Sequence, residues 1–160
     1  MPVGTFPEGL RADIRAEGAH RLRDSLRPMH LARYDELRPY VTADGSTIRE
    51  WAGPGYSPAR NQSLAEATLP PGTATIAHYH PLAEELYLFR SGRGRLRIGD
   101  DERDVIAGDC AVIPPGVVHK LWNTGDAEDL VLVCACSPAY SHDDTVLVEG
   151  EDGAAAPSSA

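Results

Sequence analysis

Between residues 39 and 148 turn residues cut the chain roughly every eight to twelve positions, and the pieces between them are too short for ordinary helices. The pieces span residues 40–43, 46–51, 63–69, 73–79, 85–89, 94–98, 103–106, 110–113, 118–122 and 130–136, and most are rich in Val, Ile, Leu and Thr. Asp44-Gly45 separates the first two as a hairpin turn would, and Pro70-Pro71-Gly72, Gly99-Asp100-Asp101 and Pro114-Pro115-Gly116 mark later breaks. Ten short strands without a helix-period pattern between them predict an all-β domain, an antiparallel sandwich or barrel.

The rest of the chain frames that domain. Residues 1–38 carry seven Arg and six acidic residues, with Pro2, Pro7 and Pro28 cutting any helix into short pieces, and read as an N-terminal arm. Residues 149–160 are acidic and then rich in Ala, Ser and Pro, a composition that cannot bury a core and predicts a disordered tail. At 160 residues the chain is the size of one domain and needs no disulfide or metal merely to fold. Fifteen Lys and Arg against 24 Asp and Glu give a net charge of -9, so no basic stripe for phosphates is expected and nucleic acid is not an expected partner. The longest apolar run, residues 130–136, falls far short of the ~20 residues of a membrane span. The N-terminus shows no apolar signal region either, and a cytoplasmic address with no membrane partner is expected. The three cysteines, Cys110, Cys134 and Cys136, form no CxxC pair. They read as small apolar fillers in a reducing compartment, although Cys134 and Cys136 share one strand face and one of them could line a cavity.

The chemistry concentrates in four residues of the β region. His78 and His80 are two apart on an expected strand, so both imidazoles point to one face and can converge on one ion. Pro81 then ends the ladder, and a short turn brings the Glu85 carboxylate back beside them. His119 follows on a later strand. Three imidazoles and one carboxylate suit a borderline divalent metal such as Fe, Mn, Ni, Zn or Cu, with positions left open for water, oxygen or substrate.

These residues also carry a resemblance. Gly72-x5-His78-x-His80-x4-Glu85-x6-Gly92 resembles the first signature motif of the cupin superfamily, and Gly108-x5-Pro114-x-Gly116-x2-His119-x3-Asn123 resembles the second. The wider pattern from Ser63 to Asp144 is similar to small single-domain bacterial cupins of the mannose-6-phosphate-isomerase-like subgroup. The resemblance implies a single jelly-roll β-barrel with one divalent metal ion held by His78, His80, Glu85 and His119 in its mouth. It also implies that Asn123 closes a loop after the second-motif strand.

Strand parity extends the expected site. Ala74 and Ile76 share the face of the two histidines, Tyr87 and Phe89 that of Glu85, and Leu121 that of His119, giving a mainly apolar cavity with one phenol. Tyr87 is the candidate catalytic residue, placed to hydrogen-bond a substrate oxygen or to transfer a proton. A packed barrel aromatic is the alternative. Arg93, Arg95 and Arg97 take the face opposite Leu96 and Ile98 and read as solvated, and His142 reads as part of a surface turn. The expected function is metal-dependent action on a small-molecule substrate, by dioxygenase-type oxidation or by Lewis-acid isomerisation, cyclisation or decarboxylation. A non-catalytic sensor or storage module, or a barrel without metal, are the alternatives. Exposed strand edges, coverable by the arm and the hairpin of residues 40–51, lead to the expectation of a homodimer.

Overall fold

The structure is a computed structural model that describes residues 29–148. The expected tail and the first 28 residues of the expected arm lie outside the described residues. Among the described residues the strands are β1 (Tyr40–Val41), β2 (Thr47–Ala52), β3 (Ser63–Leu69), β4 (His78–Tyr79), β5 (Glu84–Ser91), β6 (Arg93–Ile98), β7 (Asp101–Ile106), β8 (Cys110–Ile113), β9 (His119–Asn123), β10 (Leu130–Ser137) and β11 (Val146–Leu147), with single 3-10 turns at Tyr34–Glu36 and His142–Asp144. They form one sheet in the order β1-β2-β3-β10-β5-β8 and a second in the order β11-β4-β9-β6-β7. The expected all-β jelly roll is therefore present, as two antiparallel sheets whose edges are not joined by hydrogen bonds into a closed barrel. No helix of the described residues is long and apolar enough to cross a membrane.

Period-two alternation assembles the interior. β3 buries Ser63, Ala65, Ala67 and Leu69 and turns Leu64 outward, while β5 buries Glu85, Tyr87 and Phe89 between exposed neighbours. The apolar core gathers Phe89, Leu96, Val105, Ile113, Leu130 and Leu132. Turn chemistry fixes the register. Gly92, at φ 79°, joins β5 to β6 where an added Cβ would lie 2.6 Å from the Asp129 carbonyl oxygen, so both its dihedral and its close approach demand glycine. Asn123 is fully buried, donates from Nδ2 to the carbonyls of Leu69 and Glu128 at 2.9 Å each, and closes the loop after β9 as expected. Arg93 and Arg95 pair with Asp126 and Asp104 at 2.7 and 2.8 Å, on the solvated face where they were expected.

Two strand expectations change. The run 73–79 pairs continuously only as β4, preceded by an isolated bridge between Ala74 and Trp122. The intervening backbone leaves the ladder because Thr75 N–H donates to the Leu121 carbonyl at 2.9 Å and Ile76 N–H to the Asp44 carbonyl at 2.7 Å. β11, only two residues long, adds an edge strand against β4, with Leu147 opposite His78.

Candidate metal centre

β4 and β9 run side by side with His78 directly opposite His119, which brings their ring centroids to 4.2 Å. His80 lies one residue past β4, its ring 5.3 Å from that of His78. Glu85 approaches from the other sheet, on β5, between Cys136 and Ile113. All four side chains are buried, and one ligand-type atom from each lies within 4.8 Å of all the others.

The hydrogen bonds around this group decide what it can hold. Nδ1 of His78 donates to the Ile76 carbonyl (2.8 Å), Nδ1 of His80 to that of Asp144 (3.0 Å), and Nδ1 of His119 to that of Val117 (3.2 Å). A carbonyl can only accept, so Nδ1 carries the hydrogen and each neutral ring is left with a lone pair on Nε2. Nε2 of His80 and of His119 stand 3.2 and 3.4 Å from Glu85 Oε2. Acceptors therefore face acceptors, and Glu85 Oε2 and His119 Nε2 are buried without a hydrogen-bond partner among the described residues. Such orphaned polar atoms are costly. A divalent cation satisfies all four ligands at once, so the residues present fit a metal ion, and the three-nitrogen, one-oxygen donor set fits Fe, Mn, Ni, Zn or Cu.

Proton affinities reflect the same crowding. Burial, then the charge of His119, lowers the His78 imidazole below its ordinary value. Burial also works against a charged His80, but once protonated that ring can donate from Nε2 to Glu85, and this hydrogen bond and the carboxylate charge outweigh burial and raise the imidazole. Burial alone would raise the Glu85 carboxyl, yet His119 and His80 hold it down at about 2. The Cys136 thiol donates to the other carboxylate oxygen, Oε1, at 3.4 Å, which orients the group.

Comparison with known proteins gives the family. Residues 65–136 match the family model described as Cupin domain. An uncharacterised protein of Methanocaldococcus jannaschii is 41% identical over 116 residues, 72% of this chain and 92% of that protein. The chain is a cupin. A probable oxalate decarboxylase of Arthroderma benhamiae is 31% identical over 107 residues, 64% of this chain, so the cupin spans 26% of that longer relative. A nucleoside dehydratase from Streptomyces shares the fold at a TM-score of 0.62 and 13% identity, over 76% of this chain and 92% of that one. The mannose-6-phosphate-isomerase-like subgroup stays an expectation of the sequence.

Around the centre some expected residues are present and others give way. Tyr87 and Leu121 line the cavity beside the ligand group, and the Tyr87 and His119 rings are 5.9 Å apart. Phe89 packs in the apolar core instead. Ala74 and Ile76 do not line the cavity. Thr75 does, because the break in pairing before β4 shifts the parity by one and the Thr75 hydroxyl accepts from Leu121 N–H at 3.0 Å. Both Cys134 and Cys136 line it. Two further contributors were not among the expected site residues. The 3-10 turn His142–Asp144 is exposed at His142, as expected, but its Asp144 carboxylate accepts from Leu82 N–H and Ala83 N–H at 3.0 Å each while its carbonyl holds His80. Glu50 on β2 is also buried against the cavity, and the one signal for it was an acid in register with Ile48 on an inward face.

Proposed function

We propose that this cupin is a metal-dependent enzyme acting on a small organic molecule, with one divalent ion held by His78, His80, Glu85 and His119. The observation that carries the reading is the buried convergence of four ligand atoms, two of them without a partner, that one cation would satisfy together. Bound there, the ion supplies Lewis acidity to a substrate oxygen. The chain's own residues do the rest. Carbonyl partners at Nδ1 fix each ring, and Leu69, Leu121 and Leu132 make the cavity wall apolar. Burial raises the Tyr87 phenol well above its ordinary value, so Tyr87 serves as a hydrogen-bond donor to substrate rather than as a base. Lewis-acid chemistry is preferred to dioxygenase chemistry because the named relative is a probable oxalate decarboxylase, a reaction whose name calls for no external oxidant.

Elemental analysis of protein purified without added metal tests this directly. About one divalent ion per chain is expected, lost in His119→Ala. Stoichiometric iron with oxygen consumption would shift the reading to oxidation, metal without turnover of any small molecule would favour a sensor or storage module, and failure to take up metal would remove it.

The same reading includes a cytoplasmic homodimer. On the outer face of the first sheet Leu64, Ala135, Leu86 and Val112 stand in one row across β3, β10, β5 and β8. Leu64, Leu86 and Val112 are 39%, 39% and 54% exposed, an apolar strip that a second copy would cover. Sedimentation should give a dimer-sized particle, and Leu86→Glu should convert it to monomer.

A further inference from the structure

The cavity does not stop at the metal centre. Along the inner face of the first sheet Glu50 pairs with Ala65, Ala65 with Cys134, and Cys134 with Tyr87. Two small residues thus separate two long polar ones, leaving a cavity of about 50 Å³, room for roughly four waters. Glu85, whose Oε2 is buried without a hydrogen-bond partner among the described residues, lines the same space with His78 and His80.

Glu50 is unusual at its position. β2 turns Ile48 and Glu50 inward, and Glu50 is only 8% exposed. The register then slips, Glu50 facing Ala65 and Ala52 facing Leu64, a bulge of the kind that re-aims a side chain beside a site. Its Oε1 is so closely flanked by Gly53 that a Cβ there would lie 2.8 Å away. Glu50, Tyr40 and Tyr140 also line an outer groove together with Tyr56 and His142, so Glu50 stands between the cavity and the surface.

The charges at the two ends are unbalanced. The described residues that line the cavity include Asp44, Glu50 and Glu85 and neither Arg nor Lys. Asp44 is occupied by its own hairpin, accepting from the Thr42 hydroxyl, from Ser46 N–H at 3.1 Å and from the Ser46 hydroxyl at 2.8 Å. Glu50 accepts from the Tyr40 hydroxyl at 3.2 Å, one of the roughly four hydrogen bonds a carboxylate can take. A ligand with a second negative end would meet that carboxylate at low dielectric with neither Arg nor Lys in the lining to offset it.

We propose that Glu50 sets the ligand class: an uncharged molecule of about four to six heavy atoms, offering oxygen to the metal centre and an N–H or O–H donor to Glu50, with carboxylate-ended molecules disfavoured. The proposal rests on the metal-dependent reading above.

Glycolamide and glycolate test it, since they have the same shape and each would chelate the ion through its hydroxyl and one carbonyl or carboxylate oxygen, leaving an N–H donor at the far end of the amide and a charged oxygen at that of the acid. Cobalt(II) loading is first established by elemental analysis in wild type and Glu50→Gln; failure at that step removes the metal reading and is seen before any ligand is added. Calorimetric titration at pH 8 then gives the glycolamide-to-glycolate affinity ratio for each protein. Because the metal itself favours a carboxylate, the readout is the change in that ratio. Glu50→Gln should shift it toward glycolate by about tenfold or more, the scale of one hydrogen bond to a charged group. Glu50→Ala, which leaves no buried amide to satisfy, should shift it the same way if the Gln variant folds poorly. An unchanged ratio in the variants, or no binding of either molecule to cobalt-loaded protein, overturns the proposal.

Discussion

Ile48, Ala67, Leu132 and Phe89 cross the inner face of the first sheet as a row of wholly apolar side chains. One step along the same strands, about 7 Å away, the row Glu50, Ala65, Cys134 and Tyr87 is small or polar at every position, and beyond it stand Ser63, Cys136 and Glu85. Across β3, β10 and β5 the backbone ladder is the same in all three rows. What changes is whether side chains fill the space between the sheets. Phe89 and Leu132 fill it and are almost fully buried, whereas Ala65 and Cys134 leave a cavity in which carboxylates and imidazoles are held without enough donors. The packed row can supply stability that the polar rows withhold, and a site with unsatisfied acceptors persists because its neighbours are over-determined.

Breaking the packed end should have the largest effect. Phe89→Ala removes a ring that is 1% exposed and should cost about 3–5 kcal/mol by chemical denaturation, with or without metal. His119→Ala acts at the other end, where the metal-dependent increment isolates the ligand from the lost packing of a fully buried ring. Wild type should gain about 2.7 kcal/mol at a free metal concentration one hundred times Kd, and the variant should lose that increment. A variant that kept the metal-dependent gain would show that His119 is no ligand. Tyr87→Phe sharpens the contrast further: stability should change by no more than about 1 kcal/mol, while turnover of any substrate found should fall at least about tenfold. Equal turnover would make Tyr87 a packing residue.

The packed and polar ends were not equally legible. The hairpin at Asp44-Gly45, the alternation of β3 and β5, and the meeting of His78, His80 and Glu85 follow from residue types at short, fixed spacings, whereas His119, on a later strand, joined them through the resemblance to cupins. Thr75 did not follow from spacing, because its place in the wall depends on backbone hydrogen bonds to Leu121 and Asp44, far away in the chain. Asp144 was hidden for a related reason, since its turn matters only after it folds back 64 residues to hold His80. Glu50 was visible as a residue and illegible as a site, because its burial depends on the sheet order that brings Ala65, Cys134 and Tyr87 beside it.

The smallest effect should separate Glu50 from ordinary core residues by its pH dependence. Burial raises the Glu50 carboxyl above its ordinary value of 4.5, while the Tyr40 hydroxyl pulls the other way and loses. The folded protein thus holds this proton more tightly than the unfolded chain does. Stability from this group is fully present below the unfolded value and is lost as pH rises through the raised folded value. Glu50→Gln cannot titrate. It should melt close to wild type near pH 4 and at a higher temperature than wild type by pH 8, by less than the losses at Phe89 or His119. A Gln variant that grew less stable relative to wild type as pH rose would mean that the folded state favours the charged carboxylate, and that a cation or donor already satisfies it inside the cavity. Stabilisation at pH 8 together with loss of the glycolamide preference would show one residue lowering stability in order to select a ligand.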